Sequence, residues 1–289
     1  MSVLVLGSTG QVGQYLQSIR PQDTFWTRDQ LDLSRNTTVE SDIVDHAPSL
    51  IVNVAAFTAV DRAESESIEA WQVNAESVAA IARAARSLDV PLIHVSTDYV
   101  FGGEDTSKEH HPGDATRPSN TYGRSKLAGE LAVATLASRY WILRTSWVFG
   151  AFGSNFVKTI LRLARERDSL SIVDDQWGRP TFAGDIASAI DSLIAAYQSG
   201  SFPPFGTHHL AGDPATTWCR FAVEIVHRAQ QIGLIARLPE IHGITTDEYP
   251  TPAKRPMNSM LALDPEFIAQ LQVNTDWREG LEHTLRALH

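Results

Sequence analysis

Near the N-terminus, Ser2-Val-Leu-Val-Leu6 runs straight into Gly7-Ser-Thr-Gly-Gln-Val-Gly13, and helical sequence follows to Ile19. An unbroken apolar run of strand length belongs to a strand covered on both faces, as in a parallel sheet with helices on either side. The glycines permit a tight strand-to-helix turn whose backbone approaches a pyrophosphate lying on the helix N-terminus. The spacing is Gly-x-x-Gly-x-x-Gly, so a plain βα turn and a phosphate cradle both fit the residues. Their position directly after a buried strand favours the cradle.

The alternation continues along the chain. A short strand ends near Phe25-Trp26-Thr27, and Arg28 stands where an acid would otherwise hold a ribose 2′-hydroxyl. An arginine there suits a 2′-phosphate, and hence NADPH over NADH; a solvated loop charge fits equally well. Asp32, in Leu31-Asp32-Leu33, is placed to face an adenine. Ser49-Leu-Ile-Val-Asn-Val-Ala-Ala56 reads as another buried strand, and the small Ala55 and Ala56 at its end would let a cofactor lie close to the backbone.

Asp61-Arg-Ala-Glu64 reads as a capping box that opens helical sequence through Leu88, with Trp71, Val73, Val78 and Ile81 as core. Asn74, in the middle of this Ala-rich stretch, needs a hydrogen-bond partner, for which a water near Lys126 is a candidate. Val90-Pro-Leu-Ile-His-Val95 forms the next strand and presents Thr97 at its carboxyl end, the place where open α/β sheets bind ligands. In the loop from Gly102 to Asn120, His110 and His111 lack companion ligands at metal-like spacing and read as surface residues.

Tyr140-Trp-Ile-Leu-Arg-Thr-Ser146 is a fifth strand. Beyond Gly150 the rhythm loosens. Helices are expected from Asn155-Phe156 to about Arg167, over Ala183 to Tyr197, over Thr216 to Ile235, and from about Trp277. His208-His-Leu-Ala211 is a strand able to extend the main sheet, and Ala253-Lys-Arg-Pro-Met-Asn-Ser259 is a basic turn. The expected class is α/β: a doubly wound parallel (Rossmann) sheet with a smaller, mostly C-terminal substrate domain. Residues 1–150 with about 182–213 would form the dinucleotide-binding unit, and about 151–181 with 214–289 the substrate-binding unit.

Chemistry concentrates at Thr121-Tyr-Gly-Arg-Ser-Lys126, which opens a helix. Tyr122 and Lys126 are four residues apart, on one helix face with Cβ atoms about 6 Å from each other. An ammonium beside a phenol favours the phenolate, and a tyrosine tuned in this way exchanges a proton with a carbonyl or alcohol oxygen. A net charge of −10 argues against a general nucleic-acid or anionic-membrane binder, and no apolar run approaches a membrane span. The lone Cys219 excludes an intrachain disulfide framework. With no basic stretch before the first strand there is no signal peptide in view, so a cytoplasmic protein is expected.

Taken together, Gly7–Gly13, Asn53–Asp61, Ser96–Phe101, Tyr122–Glu130, Leu143–Phe149, Asp175–Thr181 and Arg255–Ser259 resemble the extended short-chain dehydrogenase/reductase superfamily. Within it they are similar to the dTDP-4-dehydrorhamnose reductase family. The resemblance implies reduction of the C4 carbonyl of dTDP-4-dehydro-L-rhamnose, with Tyr122 as general acid, Lys126 on the nicotinamide ribose and Thr97 completing the triad. It implies further that Gly10, Gln11 and Val12 touch the pyrophosphate and that Asp32 and Leu33 lie near the adenine. Ala55, Ala56 and Thr58 would line the cofactor trough, while Asp98 and Trp147 contact the sugar. Arg255, Lys254, Arg179 and Lys158 are candidate donors to the substrate diphosphate.

A homodimer is within the same expectation. Mg2+ at a dimer interface also occurs in the family, but Gln14 stands where a glutamate would be expected, and no ligand set can be placed. Two other readings remain: an epimerase or dehydratase on the same scaffold, and a non-catalytic dinucleotide-binding regulatory subunit.

Overall fold

The computed structural model describes residues 2–35, 37–103 and 105–289. Its centre is a six-stranded, wholly parallel sheet. The strands are β1 (Val3–Leu6), β2 (Thr24–Trp26), β3 (Leu50–Asn53), β4 (Leu92–Thr97), β5 (Tyr140–Thr145) and a sixth, Gly206–His209, which pairs with β5 as expected. From one edge the order is sixth strand, β5, β4, β3, β1, β2. The chain therefore moves outward from β1 to β2 and then reverses to β3 on the other side of β1. That reversal is a topological switch point, where the crevice beyond the strand ends takes ligands.

Helices cover both faces. On one, α1 (Gln11–Ile19) and α8 (Ala183–Ser199) bury Val12, Leu16, Ile186, Ile190 and Leu193 against Val3, Val5, Val52 and Leu143. On the other, α2 (Val39–His46), α5 (Ser77–Ser87) and α6 (Thr121–Leu136) bury Ile43, Val78, Ile81 and Val133 against Leu4, Leu6 and Ile51. With neighbours on both sides, β1 and β3 are buried at every position, which is why they read as unbroken apolar runs.

A third core lies among α7 (Phe156–Glu166), α9 (Trp218–Gln231) and α10 (Trp277–Ala287), built on Ile160, Phe221, Ile225 and Leu281. Beside it, Ser169–Val173 pairs in parallel with Glu240–Ile244. Among the described residues, no helix is long and apolar enough to cross a membrane.

The segment after β3 departs from expectation. Instead of one helix through Leu88 there are α3 (Val60–Ser65), α4 (Ser67–Trp71), a π-helical turn Gln72–Glu76, and α5. The capping box does not form. Asp61 lies inside the first turn of α3 and pairs with Arg255 at 2.8 Å, while Glu64 accepts from Thr121 N at 2.7 Å and Thr121 Oγ1 at 3.0 Å. Trp71, the last residue of α4 before the π-helical turn, is 40% exposed rather than core. Asn74, in the π-helical turn, is satisfied by protein alone. Its amide clamps the backbone of Phe57 on both sides (2.9 and 3.0 Å) and donates to Ser125 Oγ at 3.0 Å.

Candidate active site

A cleft of about 810 Å3 opens at the carboxyl ends of β1, β3, β4 and β5. Its floor at one end is the glycine turn. Gly7 has φ +92°, a conformation open to glycine at little cost, and any Cβ there would meet Ala55 N at 2.6 Å. Gly10, Gln11 and Val12 line the cleft, but Gly13 does not; a Cβ on Gly13 would sit 2.3 Å from Gly7 O, so this glycine lets α1 close onto the turn. The N-cap Gly10 supplies no side-chain cap, and the first turn of α1 carries no acid. A helix N-terminus left with free N–H groups and partial positive charge suits an anion.

At the far end, Arg28, Asp32 and Leu33 line the cleft, and Ala55, Ala56 and Thr58 line its side. The strand before these small residues ends at Asn53, three residues earlier than the sequence suggested, because Asn53 Oδ1 accepts from Ala55 N at 3.1 Å and turns the chain. Hydrogen bonds from the Ser34 hydroxyl and backbone hold the Asp32 carboxyl below its ordinary range, so it stays ionised.

Thr97, Tyr122 and Lys126 meet in the middle. Thr97 ends β4, and α6 starts at Thr121 because Asn120 caps it, its Oδ1 accepting from Gly123 N at 2.8 Å. Tyr122 thus comes within the first turn and Lys126 one turn on, on the side facing the sheet. Lys126 is 2% exposed and its Nζ donates to Val95 O at 2.8 Å. Burial lowers its pKa from 10.5 to about 8, with Glu130 opposing.

The expectation that Lys126 lowers the Tyr122 pKa is not met in this structure. Burial pushes the phenol above its ordinary 10.0, with the Thr97 hydroxyl as the main opposing influence. The ammonium is turned to the Val95 carbonyl and is itself weakened by the same burial. Thr97 Oγ1 donates to Asp98 Oδ1 at 2.9 Å and accepts from Tyr99 N at 3.2 Å. Asp98, 2% exposed, has its carboxyl raised to about 6 by burial. At the cleft, Ser96 Oγ, Asp98 Oδ2 and Thr145 Oγ1 are buried with no hydrogen-bond partner among the described residues.

The remaining wall is aromatic. Trp147, with φ +47°, stacks on Trp218 at 3.5 Å and 11°, and Phe156 packs on Trp218 at 4.6 Å. Tyr99 meets Tyr122 edge-on at 5.4 Å, and its phenol, pushed up to about 12 by burial, accepts from Arg255 Nη1 at 3.2 Å. Trp218, Phe156, Tyr99 and Phe57 line the cleft although the sequence did not single them out. Phe57 and Tyr99 fall within Asn53–Asp61 and Ser96–Phe101, while Phe156 and Trp218 come from far along the chain, and folding alone brings the four together.

Of the four proposed diphosphate donors, Arg255 lines the cleft, and Arg179 and Lys158 do not. Arg179 is spent on Glu109 and Asp213, and Lys158 Nζ donates to Gly153 O at 2.9 Å. Lys254 is also absent from the lining. Of the two loop histidines, His111 is exposed as expected, while His110 is half-buried, its ring stacked on Phe101 at 4.4 Å and 3°. Behind the site, Arg144 of β5 and Glu130 of α6 form a buried ion pair at 2.7 Å that ties the tyrosine-bearing helix to the sheet.

A glycine turn on a helix N-terminus, opening on the same cleft as a buried tyrosine, lysine and threonine, is the arrangement of a nicotinamide-dependent enzyme of the short-chain dehydrogenase/reductase type. No group of three or more His, Cys, Asp or Glu side chains placed to hold a metal is found among the described residues, so Mg2+ gains no support. The chain belongs to the RmlD substrate binding domain family, whose model matches residues 1–289.

It is 44% identical over 268 residues to the dTDP-4-dehydrorhamnose reductase of Sinorhizobium fredii, covering 91% of this chain and 90% of that protein. To the Escherichia coli K12 enzyme of the same name it is 39% identical over 297 residues, covering 100% and 98%. The crystal structure of dTDP-4-dehydrorhamnose reductase from Bacillus anthracis in complex with NADP superimposes with a TM-score of 0.88 at 32% identity, covering 99% of each chain. A UDP-glucose 4-epimerase from Thermus thermophilus shares the fold, with a TM-score of 0.78 at 16% identity.

Proposed function

We propose that this protein reduces the C4 carbonyl of dTDP-4-dehydro-L-rhamnose to give dTDP-L-rhamnose, using NADPH, with NADH as the alternative donor. The carrying observation is that Thr97, Tyr122 and Lys126 line one cleft with the glycine turn. The family and its reductase relatives supply the substrate. The nicotinamide, when bound, supplies the hydride. Gly10, Gln11 and Val12 would hold its pyrophosphate, and Lys126, with one N–H on Val95 O, has two more for ribose hydroxyls.

Tyr122 donates a proton to the oxygen that becomes the alcohol. A phenol with a raised pKa is fully protonated at neutral pH and so is always loaded for this step. Thr97 holds the same oxygen, so stabilisation grows as charge develops there. Asp98, Trp147 and Arg255 would bind the sugar nucleotide, the cation of Arg255 offering a donor to its diphosphate. The same proposal divides the chain into a dinucleotide unit, residues 1–150 with about 182–213, and a sugar-nucleotide unit built on the third core. We extend it to a homodimer, which sedimentation would test.

The test is loss of the nicotinamide absorbance on mixing protein, NADPH and dTDP-4-dehydro-L-rhamnose. One cofactor consumed per sugar supports the reductase; turnover without consumption would indicate an epimerase or dehydratase. Tyr122→Phe should lower kcat by about 10²–10⁴-fold with the fold intact, and near-normal turnover would remove Tyr122 from the mechanism.

A further inference from the structure

Glu69 is assigned no role by the reductase reading, yet it lines the cleft at the end where Arg28 stands. It comes from α4, the short helix before the π-helical turn. Its Oε1 lies 3.3 Å from Arg28 Nη2, while Arg28 Nε lies 3.3 Å from Asp32 Oδ1. Ser34 Oγ accepts from the same Nη2 at 3.3 Å. The Nε–Nη2 edge of the guanidinium, the one that binds an anion in a two-pronged way, is therefore shared between two carboxylates. Asp32 is fixed in turn by Ser34 N at 3.0 Å and Ser34 Oγ at 2.7 Å. Glu69 has no hydrogen-bonded anchor of that kind apart from Arg28 among the described residues.

Arg28, Ser34 and Glu69 line the main cleft and also an open depression of about 440 Å3 whose other lining residues include Ser65, Glu66, Ser67 and Gln72. A ribose lying beyond the end of β2 would direct its 2′ position towards this contact. A neutral 2′-hydroxyl leaves the ion pair in place. A 2′-phosphate carries two negative charges and seeks the Arg28 edge that Glu69 already holds.

We propose that Glu69 sets the preference between the two nicotinamide dinucleotides by competing with the 2′-phosphate for Arg28. The proposal rests on the reading that the cleft takes such a cofactor, and it deepens that reading with a residue that discriminates. Arg28 is 67% exposed and Glu69 35%, so exchange of one partner for the other is cheap and the effect is moderate.

The experiment is calorimetric titration of NADP+ and NAD+ into the wild type, Glu69→Gln, Arg28→Ala and the double variant, with no turnover needed. Glu69→Gln should tighten NADP+ by about three- to tenfold and leave NAD+ within about twofold, as expected for removal of one like charge near a surface. Added salt should shrink the gain. In the Arg28→Ala background the same substitution should no longer shift the NADP+/NAD+ ratio by way of a freed guanidinium, leaving about a twofold residue of direct repulsion. An unchanged ratio in Glu69→Gln, with both dinucleotides still binding, overturns the role of Glu69 and leaves the reductase reading standing. Binding of neither dinucleotide to the wild type overturns both.

Discussion

Lys126→Met is expected to abolish turnover and at the same time to remove a stability penalty that the protein carries at neutral pH. Lys126 is 2% exposed, and burial lowers its pKa from 10.5 to about 8. That drop corresponds to about 3 kcal/mol of extra cost for the charged form in the folded state. Met matches the length of the side chain without the charge, but it leaves the Val95 carbonyl without the 2.8 Å hydrogen bond from Nζ, a loss of about 1–3 kcal/mol. At about pH 7 the two effects nearly cancel, and the variant should be as stable as the wild type or up to about 2 kcal/mol more so.

The pH dependence separates them. Between the folded pKa of about 8 and the unfolded 10.5, the unfolded chain binds more protons at Lys126 than the folded one. The contribution of this group to stability therefore rises with pH across that window. From about pH 7 to about pH 9.5 the wild type should gain about 2 kcal/mol relative to Lys126→Met, whatever the Val95 term is. Urea unfolding of both proteins at the two pH values measures it. Parallel stability curves would show that Lys126 is not a penalised cation, and the account of the site's electrostatics would fail.

Asp98→Asn should act in the opposite direction along the pH axis. The folded carboxyl is raised from 3.8 to about 6, so its contribution to stability falls as pH rises between those values, and the variant should gain about 2–3 kcal/mol relative to wild type from about pH 4 to about pH 7. Arg144→Met leaves the 5%-exposed Glu130 carboxylate unpaired and should cost about 3–5 kcal/mol by urea unfolding, with much of it recovered in the double variant Arg144→Met/Glu130→Met. A double variant no more stable than the single would refute that pairing. Gly13→Val places a Cβ 2.3 Å from Gly7 O and should cost about 1–3 kcal/mol while weakening NADP+ in calorimetric titration; undiminished affinity would detach α1 from cofactor binding.

Much of the architecture was legible because its causes are local. Val3–Leu6 and Leu50–Asn53 are apolar at nearly every position since helices cover both faces, and the glycine turn at Gly7 needs a backbone that few other residues adopt. The Tyr122–Lys126 spacing told which two side chains share a face, while the Asn120 cap that starts the helix emerged only in the fold. Asp61-x-x-Glu64 misled for a stated reason. Its carboxylates had stronger claims on them from Arg255, 194 residues away, and from Thr121, 57 residues away. Trp71 misled because periodicity presumes an unbroken helix, and the π-helical turn after it breaks the phase.

By itself, then, the amino-acid order determined the strand and helix alternation, the glycine turn between β1 and α1, and the grouping of Tyr122 with Lys126 on one helix face. Those depend on spacing and backbone preference over a few residues. Tertiary structure alone decided that Arg179 is consumed by Glu109 and Asp213 while Arg255 faces the cleft, and that Trp218 stacks on Trp147. It also decided that Tyr122 is held above and Lys126 below their ordinary pKa values. Charge pairing and protonation follow from how much water remains and which distant groups arrive, and neither is encoded in spacing along the chain.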